Sequence, residues 1–115
     1  MRKPFIAGNW KMNNTIAESE ELIQALLPRV GAVEDVDIVV APPFLSLQAV
    51  VDSARGSAVQ VYAQTMHEKD SGAYTGEISA PMLVEIDVQG VILGHSERRE
   101  FCGREVEMQW YALEL

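Results

Sequence analysis

The stretch PFIAGNWKMNNTIAESEELIQALLPRVGA, residues 4–32, joins a short apolar run to a helical pattern, and this combination decides the fold class. Thr15 and Glu18 have the spacing of a capping box, in which the hydroxyl bonds an N–H of the first helical turn and the carboxylate bonds the N–H of the cap residue. Pro28 and Gly31 predict the end of the helix. The apolar residues between cap and stop fall near one helical stripe; they are Ile16, Leu22, Ile23, Leu26, Leu27 and Val30. We therefore predict a strand followed by an amphipathic helix.

Three further apolar runs repeat this pattern along the chain: DIVVAP at 37–42, AVQVYAQ at 58–64 and GVILGH at 90–95. They are apolar on both alternating faces, which is typical of parallel strands covered on both sides. Two more helices are predicted between them, over 42–56 and over 79–87, the latter capped by Ser79. Alternating strands and helices indicate right-handed crossovers and an α/β fold. We expect a single domain over residues 1–115.

Composition excludes several classes of function. The net charge of −8 disfavours nucleic-acid binding, because that binding depends on cations that displace counterions from phosphates. No apolar run approaches the roughly 20 residues of a membrane span, and the N-terminus lacks a secretory pattern. We therefore expect no membrane partner and a cytoplasmic location. The chain has a single cysteine, Cys102, so an internal disulfide is excluded. His67 and His95 are too far apart in sequence to form a local metal motif. No nucleotide fingerprint occurs, and we expect no cofactor.

Read by themselves, the polar residues near the strand ends have ordinary interpretations. A lone histidine such as His95, at the end of an apolar run, is more often structural than catalytic. Lys11 would usually be a solvated lysine, and the polar loop 67–77 a solvated connection. The SERRE segment at 96–100 is typical of an exposed helix start. These residues therefore do not identify a site without further information.

Four segments together supply that information: FIAGNWKMN at 5–13, VVAPPF at 39–44, SGAYTGEISAPML at 71–83 and VILGHSERRE at 91–100. In this order they resemble the N-terminal half of the triosephosphate isomerase family, the (β/α)8-barrel enzymes of glycolysis. The resemblance covers about residues 4–100. It implies a partial (β/α)8 TIM barrel, an N-terminal half-barrel with about four βα units of parallel sheet.

The sequence departs from the family pattern in two places. Thr65 stands where the family usually has an asparagine after Ala63 and Gln64, which affects one subunit-contact residue. After residue 105 the tail no longer follows the family. A helix remains one interpretation of this tail, because Val106, Trp110 and Leu113 would share one helical face.

The resemblance also implies roles for four residues. His95 corresponds to the family's electrophile, a neutral histidine that polarises the substrate carbonyl; this role is the established one in the family and comes from the resemblance alone. The helix start at Ser96 would disfavour imidazolium. Lys11 corresponds to a catalytic and phosphate-binding lysine and Asn9 to a substrate-binding amide. Glu97 corresponds to a residue that supports the site and pairs with the lysine.

The resemblance further implies a homodimer that acts on a triose phosphate. In the family, the loop corresponding to 67–77 inserts into the neighbouring subunit, with Thr75 near its tip. No segment of this sequence matches the family's glutamate base, its lid or its late phosphate loops. We therefore predict that the isolated chain is inactive. The alternative is a non-catalytic, self-associating scaffold derived from the family, and a weaker one is a phosphate binder that uses Lys11.

Strand alternation predicts which residues line the barrel interior. Counting from Asn9 and His95 places Phe5, Ala7, Val91 and Leu93 inside, and Ile6 and Ile92 toward the helices. The first and fourth strands of a half-barrel would also leave unpaired edges, which favour pairing with another chain. We therefore expect self-association through the open sheet.

Overall fold

The computed structural model describes residues 3–93 and 109–112. Its elements follow one another as β1 (Phe5–Asn9), α1 (Ile16–Val30), β2 (Asp37–Ala41), a 3-10 turn (Phe44–Ser46), α2 (Leu47–Ala54), β3 (Val59–Ala63), α3 (Ala80–Glu85), β4 (Gly90–Leu93) and β5 (Gln109–Ala112). Strands β1 to β4 are parallel neighbours in chain order, and β5 is antiparallel to β4. The four parallel strands form a curled half-barrel with helices between them, which confirms the predicted partial TIM barrel.

Helix α1 begins with the predicted capping box. The hydroxyl of Thr15 accepts a hydrogen bond from Glu18 N at 3.3 Å, and Thr15 N donates to Glu18 Oε1 at 3.0 Å. The bond from Thr15 N to the carboxylate, and to a smaller extent the Thr15 side chain, lower the pKa of the Glu18 carboxyl. Pro28 lies inside the last turn of the helix and does not end it, whereas Gly31 caps the C-terminus through its N–H to Leu27 O at 2.7 Å.

The core lies mainly between the sheet and the helices. Ile23, Leu47, Val50 and Leu83 from the three helices are at most 1 % exposed and pack on one face of the sheet. On the opposite, concave face a smaller cluster is buried, consisting of Val39, Ala41, Tyr62 and Ile92. The concave face is only partly covered at β1, since Phe5 is 45 % exposed although its ring lies 6.4 Å from that of Tyr62.

The register of β4 corrects part of the predicted interior. Ala63 pairs with Val91, so Val91 lies on the helix-facing side and Ile92 on the concave side, opposite to the prediction. Leu93 also packs against the helix-facing cluster. Strand β4 ends at Leu93. The prediction counted alternating residues backwards from His95, which lies beyond that end, and therefore assigned the β4 side chains to the wrong faces. For β1 the prediction is confirmed, because its odd residues align with the concave side of β2.

The tail contains a strand where a helix had been one interpretation. Residues 109–112 pair antiparallel with β4, with Val91 opposite Tyr111. Two consecutive aromatic residues favour a strand, and the edge of β4 offers backbone groups that need partners. The predicted open edge at β4 is therefore wrong, while β1 ends the sheet on its other side within the described residues.

Candidate functional site

The candidate site lies where β1, β2 and β3 end. Because the strands are parallel, Asn9, Ala41 and Ala63 bring their carboxyl ends to the same edge of the sheet. In barrels of this kind, functional residues sit at that edge, on the loops that follow the strands. Trp10, the first residue after β1, donates its N–H to Ala41 O at 3.0 Å and ties the loop to β2. The loop after β1 therefore starts from a fixed position.

Lys11 has an unusual backbone conformation within this loop. Its φ is +56°, in the left-handed region that costs a side-chain-bearing residue about 1–2 kcal/mol. Its N–H donates to Asn9 Oδ1 at 3.0 Å, and its carbonyl oxygen accepts from Gln64 Nε2 at 2.7 Å. Side chains thus hold both polar backbone atoms of this residue, while Lys11 itself is exposed at the edge of the sheet. Strain of this kind persists only where the surroundings impose it, and it concentrates at functional sites.

Gln64 joins three elements and had no role in the sequence-based assignment. The same Nε2 that bonds Lys11 O also donates to Ala41 O at 2.9 Å, so one half-buried amide connects the loop after β1, the end of β2 and the residue after β3. Asn13 adds a further bond, from Nδ2 to Trp10 O at 2.8 Å. The position of Gln64 in the sequence does indicate a functional residue, because it is the first polar residue after a buried parallel strand, at the edge of the sheet where functional groups are found.

The structure brings together only part of the predicted set. Asn9 and Lys11 are adjacent through the hydrogen bond from Lys11 N to Asn9 Oδ1. His95 and Glu97 lie outside the described residues, so their predicted places stay predictions. Strand β4 runs parallel to β3 and reaches Leu93 at the same edge of the sheet. The edge thus receives the ends of all four parallel strands.

The loop 67–77 is folded on itself. His67 N donates to Ile78 O at 2.7 Å, which joins the two ends of the loop, and Glu77 N donates to Tyr74 O at 3.0 Å, which forms a turn near its C-terminal end. Inside it, the rings of His67 and Tyr74 lie 4.1 Å apart, and His67 Nδ1 accepts from Lys69 N at 3.0 Å. The loop therefore has internal contacts of its own, while residues 68–76 are exposed, as in the ordinary interpretation of a solvated connection.

Large apolar side chains are exposed near this loop's edge of the sheet. Met12 after β1 is 95 % exposed, Leu45 after β2 is 79 % exposed, and Tyr74 in the loop is 44 % exposed. All three follow the carboxyl ends of neighbouring strands. Exposed apolar groups that share one side of a molecule are typical of an interaction surface.

The opposite end of the sheet carries a cavity of about 280 Å³, between the end of α2 and the starts of β3 and β4. Its lining includes Val61, Arg55 and Gln89, and none of the predicted site residues. Among residues 3–93 and 109–112, no group of three or more His, Cys, Asp or Glu side chains is placed to hold a metal ion. Within the same residues, no helix has the length and apolarity needed to cross a membrane.

Comparison with known proteins agrees with these features. The family model of triosephosphate isomerase matches residues 4–110. The chain is 52 % identical over 106 residues to the triosephosphate isomerase of Acetivibrio thermocellus, an alignment that covers 92 % of this chain and 42 % of that protein. It is 54 % identical over 101 residues to that of Clostridium acetobutylicum, covering 88 % and 40 %.

A third relative gives the same proportions. The triosephosphate isomerase of Clostridium novyi is 53 % identical over 103 residues, which are 90 % of this chain and 41 % of that protein. The chain therefore spans about two fifths of the length of the curated relatives it matches. The matched residues contain all four parallel strands and the loops that follow the first three.

Proposed function

Because this chain belongs to the triosephosphate isomerase family, we propose that it supplies one part of an active site that interconverts dihydroxyacetone phosphate and glyceraldehyde 3-phosphate. The observation that carries the proposal is the backbone of Lys11, held in a strained conformation at the edge of the sheet where the parallel strands end. A solvated lysine has no need of such support. A lysine that must meet a substrate at a fixed position does need it.

In this site the ammonium group of Lys11 binds the phosphate of the substrate. It also stabilises negative charge that develops on the substrate oxygens during proton transfer. The local cation matters because the chain carries a net charge of −8, which repels an anion at long range. Asn9 contributes an amide to substrate binding and accepts the hydrogen bond of Lys11 N.

Two further residues complete this half of the site by correspondence with the family. His95 acts as the neutral electrophile that polarises the carbonyl, which is the family's established mechanism and is taken over from it. Glu97 supports the site through the lysine. Neither role depends on a metal or an organic cofactor.

We propose that the 115 residues alone are inactive. No carboxylate here falls in a segment that matches the family's base. A general base contributes about 10²- to 10⁴-fold to such a reaction, and exclusion of water contributes further. Turnover would therefore need the remaining part of the barrel.

A complementation assay tests the proposal. The chain is mixed with the C-terminal part of the Acetivibrio thermocellus relative, the part that lies beyond the aligned residues, and turnover is followed with a coupled dehydrogenase. We expect activity in the mixture and background rates for each component. Activity should fall by at least about 10²-fold in His95→Gln and in Lys11→Met.

Lys3→Met is the matched control for the lysine variant, because Lys3 lies before the same strand at its other end, next to Asp37. It should retain the activity of the mixture. Substantial turnover by the chain alone would contradict the proposed inactivity. Turnover in the mixture that survives both His95→Gln and Lys11→Met would contradict the proposed roles.

The exposed apolar groups favour a second candidate, a self-associating scaffold. Ile6 on the edge strand is 61 % exposed, and Met12 and Leu45 are more exposed still. We propose that the chain forms a homo-oligomer through the open sheet and the loop 67–77, whichever candidate holds. The scaffold interpretation gains support if association persists while dihydroxyacetone phosphate shows no binding. As a family member, the protein would act in glycolysis in the cytoplasm.

A further inference from the structure

Both hydrogens of the Gln64 amide are directed to backbone carbonyl oxygens. Nε2 lies 2.7 Å from Lys11 O and 2.9 Å from Ala41 O. Because both partners are acceptors only, the nitrogen end of the amide must face them, and no aliphatic or carboxylate side chain can replace it. The bond to Ala41 O is partly buried, which reduces competition from water there, whereas the bond to Lys11 O is exposed.

The bond to Lys11 has a specific conformational consequence. A lysine prefers negative φ, and at +56° its carbonyl and side chain leave the backbone in directions that a relaxed loop would not give. Asn9 holds the N–H side of this residue and Gln64 the carbonyl side. Removing either one frees a rotation that turns the Cα–Cβ bond, and the ammonium group at the end of a long side chain then moves with it.

We propose that Gln64 is a positioning residue, whose amide holds Lys11 in the left-handed conformation and so fixes where the lysine ammonium meets the phosphate of a triose phosphate. The second half of this statement rests on the proposed function. Gln64 touches no substrate in this scheme. It acts through Lys11, and its own contribution is to connect the loop after β1 with β2 and the end of β3.

The conformational half is tested by nuclear magnetic resonance on the chain with Gln64→Met, a variant of similar length without a donor. In the wild type, residue 11 should give the strong intraresidue amide–Hα nuclear Overhauser effect that marks positive φ. We expect this signal to weaken to that of ordinary residues in Gln64→Met. The matched control is Gln60→Met, at a half-buried glutamine on β3, the strand that Gln64 follows, which takes no part in the bonds to Lys11.

The functional half is tested by a double-mutant cycle on the dissociation constant of dihydroxyacetone phosphate, measured by titration of each variant mixed with the C-terminal part of the Acetivibrio thermocellus relative. Loss of one to two hydrogen bonds should weaken binding about fivefold to tenfold in Gln64→Met, and less than about twofold in Gln60→Met. In the Lys11→Met background, Gln64→Met should change binding less than about twofold, because a residue that acts through Lys11 has nothing left to position.

The outcomes separate the two proposals. If the wild-type mixture binds no dihydroxyacetone phosphate, the proposed function fails for this chain, while the nuclear Overhauser effect still decides the positioning role. Positive φ at residue 11 in Gln64→Met overturns the positioning role, and so does an equal loss of binding in both lysine backgrounds. If Gln64→Met does not fold, Gln64→Glu replaces it; if neither folds while Gln60→Met does, Gln64 is a structural residue and the proposal is wrong.

Discussion

The amide nitrogen of Gln64 lies 2.7 Å from the carbonyl oxygen of Lys11, across a separation of 53 residues in the chain. A neutral hydrogen bond contributes about 1 kcal/mol, and the left-handed conformation of a lysine costs about 1–2 kcal/mol. The bond from Gln64 and the bond to Asn9 together are therefore of the size needed to hold Lys11 at φ +56°. The loop's geometry depends on contacts that only the assembled sheet provides.

Replacing Lys11 with glycine should stabilise the fold while it abolishes binding of the triose phosphate. Glycine adopts positive φ without steric cost but loses more entropy on folding, so the net gain is about 0–1 kcal/mol. Urea unfolding measures it. Lys3→Gly is the control: Lys3 precedes β1 and does not have a positive φ, so no gain is expected there. A loss of more than about 1 kcal/mol in Lys11→Gly would show that the conformation is not strained.

The capping box of α1 should make stability depend on pH in the acidic range. Hydrogen bonds from Thr15 lower the pKa of Glu18, so the folded state binds its proton less readily than the unfolded state does. This contribution is present above the unfolded pKa of about 4.3 and is lost as the pH falls through the lower, folded value. Glu18→Gln should remove that part of the acid dependence in urea midpoints measured between pH 7 and pH 3.

Glu21→Gln, an exposed acid on the same helix, serves as the control for this experiment. It should leave the acid dependence close to that of the wild type. Thr15→Ala keeps the backbone N–H that lowers the pKa of Glu18 most, so it should only reduce the dependence, and it should cost about 1 kcal/mol at neutral pH, the usual value of a lost N-cap. Identical pH profiles for Glu18→Gln and the wild type would contradict the capping box.

Elements whose pattern is local were predictable from the sequence. The Thr15 to Glu18 cap, the helix α2 and the four parallel strands follow from spacing and apolar runs, and the structure has all of them. Pro28 does not end the helix, which continues to Val30 and is capped by Gly31. Local signals thus located the elements and missed some of their ends.

Features that depend on long-range pairing were not predictable. The side of the sheet taken by Val91 and Ile92 follows from the register between β3 and β4, which no local pattern specifies. The antiparallel strand β5 arises from pairing with β4. Gln64 gained its role only once three chain segments had met, whereas the resemblance to a family had already pointed to Asn9 and Lys11. Each of these features depends on how the strands pair in the assembled sheet.

The packing of α1 on the sheet should depend on Ile23. This side chain is 0 % exposed and belongs to the helix-facing cluster, so Ile23→Ala should cost about 2–5 kcal/mol in the free energy of unfolding. The adjacent Leu22 is 42 % exposed on the same helix, and Leu22→Ala should cost less than about 1 kcal/mol. Urea unfolding of both variants gives the comparison. Equal costs would show that α1 does not pack through this face.

Self-association should depend on the edge strand β1. Ile6 lies on this strand with 61 % of its surface exposed, and its side chain points to the helix-facing side of the sheet next to the backbone edge that no described strand covers. We expect light scattering to show oligomers at micromolar concentration. A lysine on an edge strand opposes pairing with another chain, so Ile6→Lys should shift the population toward the monomer by about tenfold in dissociation constant.

Met82→Lys is the matched control for Ile6→Lys, because Met82 is also large, apolar and 53 % exposed, but lies on α3. It should leave the oligomer distribution unchanged, since the helix face is not part of the open sheet edge. Circular dichroism on each variant separates dissociation from unfolding. A folded wild-type monomer at micromolar concentration would contradict association altogether. Oligomers that respond to Met82→Lys and not to Ile6→Lys would place the contact on the helices, because a charge opposes association only where it would be buried.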